Sequence, residues 1–204
     1  MTEKTYFLLD DHALMRKGIS DYIAQNSEWT LAGEAGTCEE AKEELLMLAR
    51  TKIFPQIIVV DINIKNEDGI DFMAQLKELS PYSKFLVYSM YTNSGTIQRA
   101  LNAGAQGYIS KSADEKEIIN ALNTIAEGKT YIEQSLTMNL ISYKQIFTSL
   151  SKREQEVALK ITEGKTNNQI ADEMCISRHA VENYVSRVFA KTGVNTREDL
   201  KNLC

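Results

Sequence analysis

The sequence predicts an α/β fold, a doubly wound parallel sheet of five strands, followed by a small all-α unit with a helix-turn-helix. Two observations predict this division. Up to Gly128, short apolar runs alternate with segments of helical spacing, as in a parallel sheet covered on both faces. Beyond Gly128 no strand pattern recurs, and the predicted elements are capped helices.

Each predicted strand is a short apolar run, and the third is an unbroken branched run typical of a strand buried on both faces. The strands are predicted at Thr5–Leu9, Trp29–Ala35, Ile57–Val60, Phe85–Ser89 and Gly107–Ser110. The helices between and after them are predicted at Ala13–Gln25, Glu39–Ala49, Ile70–Leu79, Thr96–Asn102 and Glu115–Glu127. Ligands of such sheets bind at the carboxyl ends of the strands.

The remainder of the chain is interpreted as a linker with a short helix, Tyr131–Phe147, and then four helices. The tetrapeptides that begin at Ser151 and Thr166 match the capping box. Gly164 and Gly193 stand where glycine commonly ends a helix. The predicted bounds are 1–127 for the α/β domain, 128–148 for the linker and 149–204 for the helical domain.

Composition places the chain among soluble globular proteins, since 43% of its residues are hydrophobic and 25% are charged. No apolar stretch approaches the roughly 18 residues that cross a bilayer. The first residues lack a signal peptide, and the three cysteines fit neither a zinc site nor a disulfide framework. We therefore expect a cytoplasmic protein with no membrane partner.

The net charge also differs between the two predicted parts of the chain. Residues 1–130 carry 13 basic and 19 acidic side chains, a net charge of −6, whereas residues 146–204 carry 9 and 8, a net charge of +1. This contrast favours two domains with different partners. The charge of +1 is too small to indicate nucleic-acid binding by itself.

Polar side chains follow four of the predicted strands. Asp10 and Asp11 follow the first strand, Asp61 follows the third, Ser89 ends the fourth and Lys111 follows the fifth. Three carboxylates that converge at one sheet edge repel one another, and Mg²⁺ relieves that repulsion. A hydroxyl and an ammonium beside them predict a phosphoryl site, in which one carboxylate attacks and the cations neutralise the phosphoryl oxygens.

The segments FLLDDH, VVDINIKNEDG, LVYSM and AGAQGYISK resemble the receiver domain of bacterial two-component response regulators, over about residues 4–127. The resemblance implies that Asp61 accepts a phosphoryl group from a phosphohistidine on a sensor histidine kinase. It implies that Asp11 binds Mg²⁺ directly and Asp10 mainly through water. The backbone carbonyl of Asn63 would be a further ligand.

The same resemblance implies that Ser89 hydrogen-bonds the phosphoryl oxygen and that Lys111 pairs with it. Tyr108 matches the aromatic residue that changes rotamer on activation. The loop after the phosphoacceptor departs from the family, because it has Ile64 and Lys65 where Met-Pro is usual. This change affects the rigidity of the loop and removes no chemical group.

His12 directly follows the two aspartates and has two interpretations. It is either a metal ligand or the residue at which the first helix begins. Because Mg²⁺ prefers oxygen ligands, we favour the helix start.

A helix-turn-helix pattern is carried by Ile170-Ala171, Cys175-Ile176 and Val181, although any helical hairpin needs small and apolar residues at such positions. Residues 149–203 resemble the DNA-binding domain of the LuxR family, as joined to receivers in response regulators of the NarL/FixJ type. The resemblance implies that Ser177–Thr192 is the recognition helix. Its predicted apolar face is Ala180, Val181, Tyr184, Val185, Val188 and Phe189.

The opposite face of that helix would enter the major groove, where such side chains read base edges. Its residues are Arg178, His179, Glu182, Asn183, Ser186 and Arg187. Further candidate DNA contacts are Lys191, Lys165 and Arg197. Glu182 and Asn168 stand where the family commonly has lysine, which predicts weaker or redirected DNA binding.

The favoured function is a response regulator whose phosphorylation at Asp61 switches DNA binding, with a phosphorylation-linked homodimer. Two half-sites read by two recognition helices would mirror the dimer axis. A phosphohydrolase with an aspartyl nucleophile is a second hypothesis, disfavoured by Asn63 where a second acid is needed. An interaction protein with weakened or lost DNA binding, using the Glu182 face for a protein partner, is a third.

Overall fold

The computed structural model describes residues 4–65 and 67–203. These residues form two compact units, one of residues 4–92 and 97–136 and one of residues 93–96 and 137–203. Among the described helices, none is long and apolar enough to span a membrane.

Up to residue 132 the chain contains both strands and helices, and between the second and third helices three strands follow one another. In chain order they are β1 (Thr5–Leu9), α1 (Ala13–Asn26), β2 (Thr30–Ala35), α2 (Cys38–Arg50), β3 (Ile57–Val60), β4 (Asn63–Ile64), β5 (Glu67–Asp68), α3 (Gly69–Leu79), β6 (Lys84–Ser89), α4 (Ser94–Asn102), β7 (Gly107–Ser110), α5 (Lys116–Ala126) and β8 (Tyr131–Ile132). Five helices then follow: α6 (Gln134–Ser149), α7 (Lys152–Thr162), α8 (Asn167–Met174), α9 (Arg178–Thr192) and α10 (Arg197–Leu203).

The main sheet of the first unit is parallel throughout, with the strand order β2-β1-β3-β6-β7-β8. Every residue of β3 is buried, as its unbroken run of branched residues predicts. The sheet confirms the predicted doubly wound fold. It places the carboxyl ends of β1, β3, β6 and β7 along one edge.

The predicted number of strands is wrong, because the sheet has six strands and not five. The sixth, β8, lies in the segment expected to be a linker and pairs with β7 through Gly107 and Tyr131. A Cβ on Gly107 would lie 3.3 Å from the Tyr131 carbonyl oxygen and 2.5 Å from Ile125. The absence of a side chain at Gly107 therefore leaves room for β8 to pair with β7. A two-residue strand has no periodicity, so sequence pattern could not reveal it.

A short antiparallel hairpin, β4 with β5, directly follows the end of β3. Asp68 is the last residue of the hairpin. Its carboxylate caps α3 by accepting hydrogen bonds from the N–H groups of Ile70 and Asp71. The Gly69 N–H donates to the Ile62 carbonyl at 2.7 Å. The hairpin is therefore closed against the end of β3.

The second unit is built on the capping signals that the sequence predicts. Both capping boxes are present, with Ser151 at the start of α7 and Thr166 at the start of α8. Gly193 ends α9 with a φ of 73°, and Ser177 caps its start. On the predicted apolar face of α9, two residues are fully buried and the others are half-buried: Val181 and Val188, then Ala180, Tyr184, Val185 and Phe189.

Candidate functional site

The carboxyl edge of the main sheet brings a buried lysine between two carboxylates. Lys111 Nζ lies 2.7 Å from Asp61 Oδ2 and 2.6 Å from Asp10 Oδ2. All three side chains are at most 5% exposed. The sequence predicted this grouping, because the residues follow β1, β3 and β7, whose ends lie side by side.

Asp61 is fixed by the backbone on both sides of it. Its N–H donates to the Leu9 carbonyl at 2.8 Å, and its Oδ1 accepts from the Ile62 N–H at 2.7 Å. Burial raises the pKa of Asp61 above its ordinary value, while the Lys111 ammonium acts in the opposite direction. Burial alone would lower the pKa of Lys111, but the Asp10 and Asp61 carboxylates raise it, so the lysine is a cation.

Asp11 completes an acidic cluster with Asp10, His12 and Asp61, whose potential ligand atoms all lie within 4.8 Å of one another. Asp11 Oδ2 accepts from the Lys65 N–H at 3.3 Å. Among the described residues, Asp10 Oδ2 and Asp11 Oδ1 are buried and accept no hydrogen bond of good geometry.

Asp10 Oδ2 is paired with the Lys111 ammonium, whereas a buried carboxylate oxygen such as Asp11 Oδ1 is costly unless a cation lies near it. The three carboxylates Asp10, Asp11 and Asp61 and the Lys111 ammonium together carry a net charge of −2. The donor set therefore fits a hard divalent cation. Asn63, the expected carbonyl ligand, lies two residues beyond Asp61 and pairs with Asp68 in the hairpin.

Ser89 and Tyr108 both contact Tyr91, the second residue of the β6–α4 connection. Ser89 Oγ accepts from the Tyr91 N–H at 3.3 Å, and the Tyr108 hydroxyl donates to the Tyr91 carbonyl at 2.6 Å. Both side chains are buried, and burial raises the pKa of Tyr108. The two predicted switch residues thus share one backbone partner.

One further site residue was missed by sequence reasoning. Arg16 NH1 donates to the Asp10 carbonyl at 2.5 Å, which ties α1 to the end of β1. A Cβ on Gly36 would lie 3.0 Å from the same nitrogen. The only signal was spacing, because Arg16 lies in the first turn of α1, close in sequence to the end of β1.

In the second unit, the predicted polar face of α9 is open to solvent. Its exposed residues are Arg178, His179, Asn183, Ser186 and Arg187, and Glu182 is half-buried. Arg178 Nε donates to Glu182 Oε1 at 3.0 Å, an i,i+4 pair. Arg187 stacks over the Tyr184 ring at 6.0 Å, and among the described residues it has no acidic partner.

Three other cationic residues that are predicted to contact DNA have partners within the protein. Lys191 Nζ lies 2.7 Å from the buried carboxylate of Glu154. Lys165 pairs with Glu173 at 2.7 Å, and Arg197 donates to the Lys165 carbonyl at 2.8 Å. An open cleft of about 390 Å³ at the start of α8 brings Lys165 and Arg197 together with Arg178.

Comparison with known proteins agrees with both units. The family model described as "Response regulator receiver domain" matches residues 7–123, and the one described as "Bacterial regulatory proteins, luxR family" matches residues 148–203. The chain belongs to the response regulators of the NarL/FixJ type, which join a receiver domain to a LuxR-type DNA-binding domain.

Similar proteins extend over nearly the whole chain. DevR/DosR of Mycobacterium tuberculosis, a DNA-binding transcriptional activator, is 30% identical over 198 residues, 94% of this chain and 89% of that protein. DegU of Brevibacillus brevis is 29% identical over 222 residues, 96% and 92%. A solved structure of RcsB from Salmonella enterica serovar Typhimurium, bound to a promoter, has a TM-score of 0.72 at 21% identity and covers 99% of this chain and 98% of its own.

Proposed function

We propose that this response regulator accepts a phosphoryl group on Asp61 from a sensor histidine kinase and thereby controls transcription through sequence-specific DNA binding in the cytoplasm. The observation that carries the proposal is the Lys111 ammonium, held 2.7 Å from Asp61 Oδ2 at the carboxyl edge of the sheet. A buried ammonium at that position is placed to offset charge on a phosphoryl oxygen.

The transfer exchanges one bond for another. An Asp61 carboxylate oxygen attacks the phosphorus, a P–O bond forms, and the bond between phosphorus and the imidazole nitrogen of the kinase breaks. The imidazole leaves with the electron pair of that bond. The reaction leaves an acyl phosphate on Asp61, and Lys111 pairs with one of its oxygens.

Mg²⁺ is the cation that this site would hold. Asp11 and Asp61 are proposed as direct ligands, with Asp10 mainly through water and Asn63 through its backbone carbonyl. The net charge of −2 and the buried Asp11 Oδ1, which accepts no hydrogen bond within the described residues, support this assignment. When bound, a divalent cation supplies charge that neutralises the phosphoryl oxygens during transfer.

Ser89 and Tyr108 are proposed to carry the signal away from Asp61. Ser89 Oγ accepts from the Tyr91 N–H, which leaves its O–H to donate to the phosphoryl group, so one side chain would connect that group to the Tyr91 backbone. Because Tyr108 holds the carbonyl of the same residue, the Tyr91 backbone connects the two side chains. The altered surface is proposed to form a homodimer.

DNA binding is assigned to the exposed face of α9, with backbone phosphates met by Arg187 and by the cleft at the start of α8. Three cations line that cleft: Lys165, Arg178 and Arg197. The names of the relatives support the assignment, since DevR/DosR is described as a DNA-binding transcriptional activator and RcsB is seen on a promoter.

Phosphorylation with a small donor tests the central assignment. The full chain, incubated with acetyl phosphate and Mg²⁺, is expected to gain one acid-stable, base-labile phosphoryl group by intact mass. Asp61→Ala should gain none. Asp114→Ala, an exposed aspartate that pairs with Lys116, is the matched control and should be labelled like wild type. Undiminished labelling of Asp61→Ala would exclude Asp61 as the acceptor.

A second candidate, an interaction protein with weak DNA binding, is favoured by the internal pairing of Lys191, Lys165 and Arg197. Glu182→Lys separates the two functions, with Glu198→Lys on α10 as a control of equal charge. If α9 faces DNA, only Glu182→Lys should tighten binding to specific and random duplexes and steepen the salt dependence by about 0.9. If neither variant changes binding, the interaction protein is favoured.

A further inference from the structure

Glu133 directly follows β8 and directly precedes α6. Its N–H donates to the Tyr108 carbonyl at 3.1 Å, which extends the pairing of β8 with β7 by one hydrogen bond. Strand β8 ends at Ile132, opposite Tyr108, so the Ser110 N–H of β7 lies beyond its end. The Glu133 carboxylate replaces the missing strand, because its Oε2 accepts from the Ser110 N–H at 2.8 Å.

The same residue holds the first turn of α6. The Glu133 carbonyl accepts from the Leu136 N–H at 3.0 Å, and its Oε1 accepts from the Ser135 hydroxyl. Residues 134–136 of α6 belong to the first unit, and its remaining residues belong to the second. One carboxylate therefore bridges β7 to the beginning of the helix that continues into the second unit.

The end of β7 is also connected to Asp61. Ser110 is buried and directly precedes Lys111, whose ammonium lies 2.7 Å from Asp61 Oδ2. The Lys111 N–H donates to the Ser89 carbonyl at 2.9 Å. The Ser110 N–H donates to a carboxylate, which makes a stronger hydrogen bond than a neutral acceptor does. Consecutive residues of this segment are therefore bonded to Asp61 and to the Glu133 bridge.

We propose that Glu133 is a positioning residue that transmits the phosphorylation of Asp61 from the end of β7 to α6. When the Lys111 ammonium pairs with a phosphoryl oxygen, the end of β7 moves with it. The Glu133 carboxylate is bonded to both elements, so the first turn of α6 follows the Ser110 N–H. The inference rests on the proposed function and names the side chain that carries its signal out of the receiver domain.

Amide hydrogen exchange of the unphosphorylated full chain tests the contact. Glu133→Ala should speed exchange at the Ser110 N–H at least about tenfold, because that group loses its acceptor. Glu133→Gln keeps an oxygen acceptor and should stay within about threefold of wild type. Glu127→Ala, which removes an exposed carboxylate paired with Lys129, should match wild type. Unchanged exchange at Ser110 in Glu133→Ala would overturn the proposal.

The response to a phosphodonor tests the coupling. Wild type and the three variants are incubated with acetyl phosphate and Mg²⁺, and each should gain one phosphoryl group by intact mass. The affinity for a selected duplex should then change at least about fivefold in wild type, Glu133→Gln and Glu127→Ala, but within about twofold in Glu133→Ala. A full response of Glu133→Ala would overturn this inference alone. No response of wild type would overturn the proposed function as well, so the two failures are distinguishable.

Discussion

Lys111 is a buried cation at the acidic cluster of the receiver domain. Its ammonium pairs with two buried carboxylates, Asp10 and Asp61, and it also lies 5.9 Å from the centre of the Tyr88 ring. A buried lysine that lost these partners would carry an uncompensated charge. Its place directly after β7 connects Asp61 to the strand that carries Tyr108.

Lys111→Ala is expected to allow phosphorylation but to uncouple it from dimer formation. Removing the ammonium changes the net charge of the cluster from −2 to −3, which strengthens attraction for a divalent cation, whereas the phosphoryl group loses its contact to β7. Intact mass should show labelling, and light scattering should show no phosphate-dependent dimer. Lys129→Ala, which removes an exposed lysine, should dimerise like wild type. Phosphate-dependent dimers of Lys111→Ala would contradict this role.

At the same scale, the residues that follow the strands predicted the acidic cluster, whereas the DNA contacts stay a prediction. Asp10, Asp61 and Lys111 follow strands whose ends must meet, so topology alone brings them together. Lys191 looked equally available from its place on α9, yet it pairs with Glu154 on another helix. Sequence spacing within one helix does not report contacts between helices.

At the scale of the element, the start of α3 is packed directly against the backbone of Asp61. A Cβ added to Gly69 would lie 1.9 Å from the Asp61 carbonyl oxygen. Backbone cannot move aside as a flexible side chain can, so only glycine fits there. The hairpin β4–β5 and the cap of α3 depend on this approach.

Gly69→Ala is therefore expected to lower the free energy of unfolding of the receiver domain by about 1–3 kcal/mol. Gly18→Ala is the matched control, because a Cβ at Gly18 meets nothing within 4 Å and alanine favours helix α1. It should be neutral or stabilising. Urea unfolding followed through the single, buried tryptophan, Trp29, measures both. Equal stability of the two variants would show that α3 can shift away from Asp61.

Glu154 of α7 forms an ion pair with Lys191 of α9, and the ionisation of Glu154 contributes to the stability of this unit. The Lys191 ammonium, followed by the Ser151 N–H, lowers the pKa of Glu154 from 4.5 to about 2. A carboxyl group with a lowered pKa in the folded state stabilises it above the unfolded pKa, and that contribution is lost as pH falls from 4.5 towards 2.

Glu154→Gln is expected to weaken this unit at neutral pH and to match wild type more closely at about pH 3. Amide hydrogen exchange of peptides from α7 and α9 measures the local stability of each protein at both pH values. Glu156→Gln, which removes a more exposed carboxylate paired with Arg153, should show no such convergence. A gap between wild type and Glu154→Gln that widens in acid would contradict the assigned sign.

For the whole molecule, the order of elements and the family were predictable, whereas the sixth strand was not. Apolar runs such as Ile57–Val60 predict five strands, and capping residues predict the four helices of the second domain. Strand β8 has only Tyr131 and Ile132, and its pairing depends on the missing side chain of Gly107, which no local pattern encodes. Longer elements with a period are predictable because burial imposes that period on the sequence.

Phosphorylation of Asp61 is proposed to control DNA binding, and one titration tests this most directly. A duplex selected from a random pool is titrated with the full chain, with and without acetyl phosphate and Mg²⁺, in parallel with Asp61→Ala. The phosphodonor should change the affinity of wild type by at least about fivefold and leave Asp61→Ala unchanged. An equal change in both proteins, or none in either, would contradict the claim.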